Sequence, residues 1–69
     1  MSKFILNWES ETLNTEQGII NNNLVFMLYL DTIKNCYVLN DIKRGVKYNL
    51  PDKSKGYTIA FKILKKYYI

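Results

Sequence analysis

The chain has no histidine, one cysteine, one proline and three glycines in 69 residues. Each scarcity excludes something. Without histidine it lacks the commonest general base and the commonest metal ligand. A lone Cys36 forms no internal disulfide and supplies no cysteine zinc site. Three isolated glycines make no phosphate-cradling loop. Arginine is nearly absent too, with Arg44 alone among ten basic residues, so the planar fork suited to phosphates and base edges is in short supply. The longest apolar run, residues 24–30, is far shorter than the roughly 20 residues that span a bilayer. The first seven residues hold a short apolar stretch and no small-residue cleavage site, unlike a signal peptide. A free thiol in such a chain fits the cytoplasm, and no membrane role is expected.

What is present is enough to fold. Hydrophobic residues make up 48% of the chain, and the length suits a single compact domain over residues 1–69. A core of this size supplies only about 3–5 kcal/mol. With disulfide and metal excluded, a homodimer or a bound partner is the remaining staple.

Charge is uneven. Residues 1–42 carry Lys3 and Lys34 against Glu9, Glu11, Glu16, Asp31 and Asp41, a net −3. Residues 43–69 carry eight basic side chains against Asp52, a net +7. A basic half suits nucleic acid or an anionic surface. Lysine, asparagine, isoleucine and tyrosine all have A/T-rich codons, however, and their abundance here has a genomic explanation as well.

Alternation over residues 3–9, with Phe4, Leu6 and Trp8 on one side, predicts a half-buried strand. Residues 10–18 are polar and read as a loop, with one helical turn over 15–17 closed by Gly18. Asn21, Asn22 and Asn23 mark a turn. Residues 24–31 and 36–42 form a hairpin across a short loop rich in Asp and Asn. A strand follows at 46–50, with Val46, Tyr48 and Leu50 on one face. From Tyr57 onward the apolar residues share one arc at helical spacing. Pro51 at the entry and Asp52 or Ser54 as cap support a helix. A β-hairpin running back through residues 57–64 is the rival. The expected fold is therefore α+β: a small antiparallel sheet of three to four strands followed by a C-terminal amphipathic helix. An all-β small barrel is the alternative. The expected core is Phe4, Leu6, Trp8, Leu24, Phe26, Leu28, Leu30, Val38, Ile59, Ala60, Ile63 and Leu64.

Residues 24–30 are apolar on both sides of a strand, and one helix covers one face of a sheet. Val25, Met27 and Tyr29, with Tyr37 and Leu39 of the hairpin partner, are expected on the other face as a protein-binding patch. No catalytic constellation emerges. Glu9 and Glu11 are surface acids, Asp31 and Asp41 are turn residues, Cys36 has no activating base, and Ser54 caps a helix beside two lysines. No cofactor or metal is implied. Function is expected to be non-enzymatic: protein–protein contact that inhibits or modulates a host macromolecular machine. Small, motif-free, lysine- and asparagine-rich chains of this kind resemble accessory proteins of phages and other mobile elements. The alternative is a small basic DNA- or RNA-binding regulator. In it Lys43, Arg44, Lys47, Lys53 and Lys55, then Lys62, Lys65 and Lys66, track phosphates while Tyr48 stacks on a base.

Overall fold

The computed structural model describes residues 5–68. Five strands, β1 (Leu6–Thr12), β2 (Thr15–Ile20), β3 (Asn23–Asp31), β4 (Cys36–Asp41) and β5 (Val46–Leu50), run antiparallel in sequence order. The α-helix α1 (Lys53–Ile63) follows and widens into a π-helical turn over Leu64–Tyr68. The fold is α+β, with five strands rather than three to four. β1 and β5 are the free edges, so the sheet stays open and the barrel alternative is excluded. The C-terminal segment is helical rather than a returning strand.

The extra strand is β2. Residues 15–17 form no helical turn; Thr12 pairs with Thr15 across a tight turn, and Glu16 continues opposite Ser10. Polar residues mask the alternation because the inward positions of β2 are Glu16, Gly18 and Ile20. Only the last is hydrophobic in sequence.

The other connections follow from local chemistry. Asn21 and Asn22 both adopt positive φ, 50° and 66°, the requirement of a type I′ two-residue hairpin. The β3–β4 loop is organised by Asp31, whose Oδ1 accepts from the amides of Ile33 and Lys34, and ends on Asn35 at φ 55°. The β4–β5 loop repeats that plan ten residues on. Asp41 Oδ1 accepts from the Arg44 amide, and Gly45 takes φ 68°. Asp52 caps α1 by accepting from the Lys55 amide at 2.9 Å, which holds its carboxyl below the ordinary carboxylate range.

Cross-strand partners share a face, so register assigns every side chain. Trp8, Gly18, Phe26, Asp41 and Val46 form one row; Ser10, Glu16, Leu28, Leu39 and Tyr48 form the next; Leu30, Tyr37 and Leu50 form a third. Ala60, Ile63 and Leu64 pack on this side to complete the core. Two glycines permit close approach. Trp8 reaches across Gly18 to stack on Phe26 with centroids 6.2 Å apart, where a Cβ would lie 3.0 Å from that of Phe26. Gly56 sets α1 directly on Leu28.

Several core expectations change. Leu24 is exposed, whereas Ile20, Val25, Leu39 and Leu50 are buried in the core. The reason at Leu24 and Val25 is a register shift: Gly18 pairs with Phe26 but Ile19 with Leu24. Val25 is the extra residue of a β-bulge, which breaks the alternation. Phe4 lies outside the described residues.

Candidate functional site

The face of the sheet away from α1 is covered by no described element. Its rows follow from the same register. Glu9, Gln17, Met27, Asn40 and Lys47 lie in line across all five strands. Beside them run Thr15, Tyr29, Val38 and Asn49. Ile19 extends the face next to Asn7. Val38 is only 3% exposed yet lies outside the core cluster under the helix. Met27 and Tyr29 are half-buried. This open face has an apolar centre on β3 and β4.

Its charges sit at the edges. Glu9 is exposed on β1, and Glu11 accepts from the Gln17 amide nitrogen at 2.7 Å, which keeps it on the same side. Lys47 is exposed on β5. Between these edges the two rows carry amides, two hydroxyls and hydrophobic groups, but no charge.

The expected protein-binding patch is thus only partly assembled. Met27 and Tyr29 share the open face. Tyr37 and Leu39 do not, because Met27 pairs with Asn40 and Tyr29 with Val38. A hairpin one residue shorter would have paired Met27 with Leu39, and a single-residue slip turns every side chain over. Leu39 is 0% exposed under the helix, and Val25 is 9% exposed in the same core. Both face the helix side of the sheet. Ile19 and Val38 occupy the open face instead, Val38 with only 3% of its surface exposed. The signal for Val38 was its central position in an apolar strand; Ile19 had none beyond being hydrophobic.

The other side of the molecule is basic and aromatic. Arg44 Nη1 donates to Asp41 Oδ2 at 3.1 Å and to the Tyr48 hydroxyl at 3.3 Å, and its guanidinium lies 3.7 Å from the Tyr67 ring centroid. These contacts hold Arg44 above its ordinary range. Asp41 is fully buried and also accepts from Tyr68 Oη at 2.9 Å. Burial, and then that bond to Asp41, push the Tyr68 phenol up to about 12. At the other end of α1, Lys53 Nζ lies 2.7 Å from Glu16 Oε2, and the Tyr57 hydroxyl donates to Glu16 Oε1 at 2.7 Å. The bonds from Lys53 and Tyr57 draw the Glu16 carboxyl below its ordinary value. Desolvation and the same carboxylate raise Tyr57, while Lys53 is raised by its bond to Glu16. Nothing local in sequence links Glu16 to residues 53 and 57; the helix brings them together.

The nine residues of the nucleic-acid alternative are therefore dispersed. Lys47 stands on the open sheet face. Arg44 and Lys53 are engaged by buried carboxylates, and Tyr48 is half-buried on the helix side. Lys43 approaches the Tyr68 ring, Lys65 the Phe61 ring and Lys66 the Tyr67 ring. Lys55 and Lys62 are exposed on α1. Between the Asn21–Asn22 turn, the start of the β4–β5 loop and Tyr68 lies a groove of about 370 Å³, lined by Ile20, Val25, Ile42 and Lys43 among others. Among the described residues no three His, Cys, Asp or Glu side chains come together as metal ligands. No described helix is long and apolar enough to cross a membrane. No family model, curated protein or solved structure matches the chain.

Proposed function

We propose that this chain is a non-enzymatic binding module that acts through the open face of its sheet. The observation that carries the reading is the placement of the half-buried Met27 and Tyr29, beside a buried Val38, at the centre of a face that no described element covers. Methionine and aromatic residues are enriched at interface centres, and charge is depleted there. The two buried carboxylates are each held by a phenol and a cation, an arrangement suited to tying helix to sheet rather than to proton transfer. Occlusion or recruitment on a larger host assembly, of the kind used by accessory proteins of mobile elements, needs such a surface and nothing more.

The test is retention of a partner by immobilised protein after nuclease treatment, with Met27→Glu as the control. Retention by the wild type and its loss in a folded Met27→Glu variant support the reading. Retention unaffected by Met27→Glu overturns it.

A second reading has its own observation. Phe61 and Tyr67 are 55% and 49% exposed beside Lys62, Lys65 and Lys66, the pairing of stacking platforms and cations that single-stranded nucleic acid uses. That complex would weaken linearly in log salt, with a slope set by the phosphates neutralised. Absence of binding to single-stranded DNA or RNA at about 50 mM salt removes it.

A further inference from the structure

We infer that the occupant of the open face is a second copy of this chain, related by a two-fold axis that lies between the two sheets and runs along β3. The inference rests on the reading of that face as the contact surface and adds the partner and its orientation.

The argument is charge placement. The row that crosses the sheet begins at Glu9 on β1 and ends at Lys47 on β5, with Gln17, Met27 and Asn40 between them. These rows are thus acidic at one edge, basic at the other and neutral between, while Asp31, at the far end of β3 on this face, is turned to its own loop amides. A face with this polarity is complementary to itself under one operation. Rotation about an axis along the strands lays β1 of one copy over β5 of the other. Each Glu9 then meets the second copy's Lys47, and Met27 and Tyr29 meet their own counterparts at the axis. Rotation about an axis across the strands instead sets Glu9 on Glu9 and Lys47 on Lys47, which like-charge repulsion disfavours. An isologous contact needs a surface that matches itself, and this one does so in a single orientation.

The dimensions set the scale of the contact. Strands about 4.8 Å apart and roughly 3.3 Å per residue give a face about 20 Å on each side. In projection that is about 400 Å² per copy, the scale of a weak, transient interface rather than of the roughly 800 Å² per partner of a standard one. Stacked sheets lie about 10 Å apart, a gap that a lysine and a glutamate side chain can span from opposite rims. Burying the second face also supplies what a chain of this size lacks, since the helix serves only one side of the sheet.

The experiment is sedimentation equilibrium of the intact chain across micromolar concentrations, with circular dichroism to confirm folding. The wild type is expected to approach twice the 8.2 kDa of one chain. Lys47→Glu and Glu9→Lys, each alone, should weaken the dimer on the order of tenfold or more by placing like charges opposite each other twice. The combined Glu9→Lys/Lys47→Glu variant should restore it, because both pairs re-form with signs exchanged. Folded Met27→Glu should be monomeric. A wild type that stays monomeric overturns the second copy; if it still retains another partner that Met27→Glu loses, the binding reading stands without it. A dimer that survives Met27→Glu overturns the use of this face. A dimer that Met27→Glu abolishes but the combined charge exchange fails to restore overturns the axis.

Discussion

Tyr68 Oη donates to Asp41 Oδ1 across 2.9 Å and 27 positions of sequence. The bond ties the final helical turn to the sheet at a carboxylate with no solvent exposure. Asp41 also organises its own loop through the Arg44 amide and anchors the Arg44 guanidinium. One acid therefore fixes the β4–β5 turn and the position of the chain's last described residue. The π-helical widening over Leu64–Tyr68 ends where that phenol is delivered, with the Tyr68 ring edge-on to Phe26 at 6.2 Å.

Tyr68→Phe keeps the ring packing and removes one donor from Asp41. It should destabilise the fold by about 1–3 kcal/mol, the cost of a buried acceptor losing a partner. Urea denaturation should show a lower midpoint at unchanged slope.

The same phenol gives an alkaline signature. Its folded pKa is about 12 against the ordinary 10.0. Between those values the unfolded chain releases a proton that the folded chain keeps, so stability is complete below pH 10 and is lost as pH rises towards 12. Allowing for solvent screening, the loss is about 1–2 kcal/mol. The alkaline slope should be shallower in Tyr68→Phe, where only the raised Tyr57 phenol remains. Equal alkaline slopes in the two proteins would show that Tyr68 does not carry the effect.

Glu16 provides the acid counterpart. Its carboxyl lies below the ordinary 4.5 because Lys53 and Tyr57 bond to its charged form. A lowered carboxyl adds stability that is present above pH 4.5 and lost as pH falls through the folded value. Denaturation midpoints at a series of acid pH values should fall less steeply in Glu16→Gln than in the wild type. Parallel profiles would mean that the ion pair adds nothing.

Gly56→Ala opposes two effects. Alanine improves helix propensity by about 1 kcal/mol, but its Cβ would sit 2.6 Å from Leu28 Cδ1. Leu28 is buried on all sides, and overpacking costs typically 1–3 kcal/mol. We expect net destabilisation in thermal unfolding. The cost should shrink when Leu28→Ala is combined with it, a coupling that a double-mutant cycle measures.

Leu39→Glu and Met27→Glu separate the two faces. The first places a carboxylate in the core beneath the helix and should abolish cooperative unfolding. The second adds a charge to the open face and should leave the circular dichroism spectrum unchanged. Loss of structure in Met27→Glu would mean that the fold of the single chain depends on this face being covered.

The sequence by itself determined the local elements. Asp52 after Pro51 and the helical spacing of Ala60, Ile63 and Leu64 specify α1. Consecutive asparagines specify a left-handed turn. Asp31 and Asp41, followed four residues later by Asn35 and Gly45, specify two similar loops, a repeat visible in the chain once its purpose is known. These signals act within a few residues and need no partner. Tertiary structure decided which side of each strand faces the core. Residues 24–30 are apolar on both sides, and residues 37–39 are apolar throughout, so alternation defines two faces without choosing between them. The choice came from closing the 32–35 loop with Asp31 opposite Cys36, from the bulge at Val25, and from the helix bringing Lys53 and Tyr57 to Glu16. Those last contacts turn a polar stretch into an inward-facing strand, because a buried carboxylate is stable only beside partners that arrive from far along the chain.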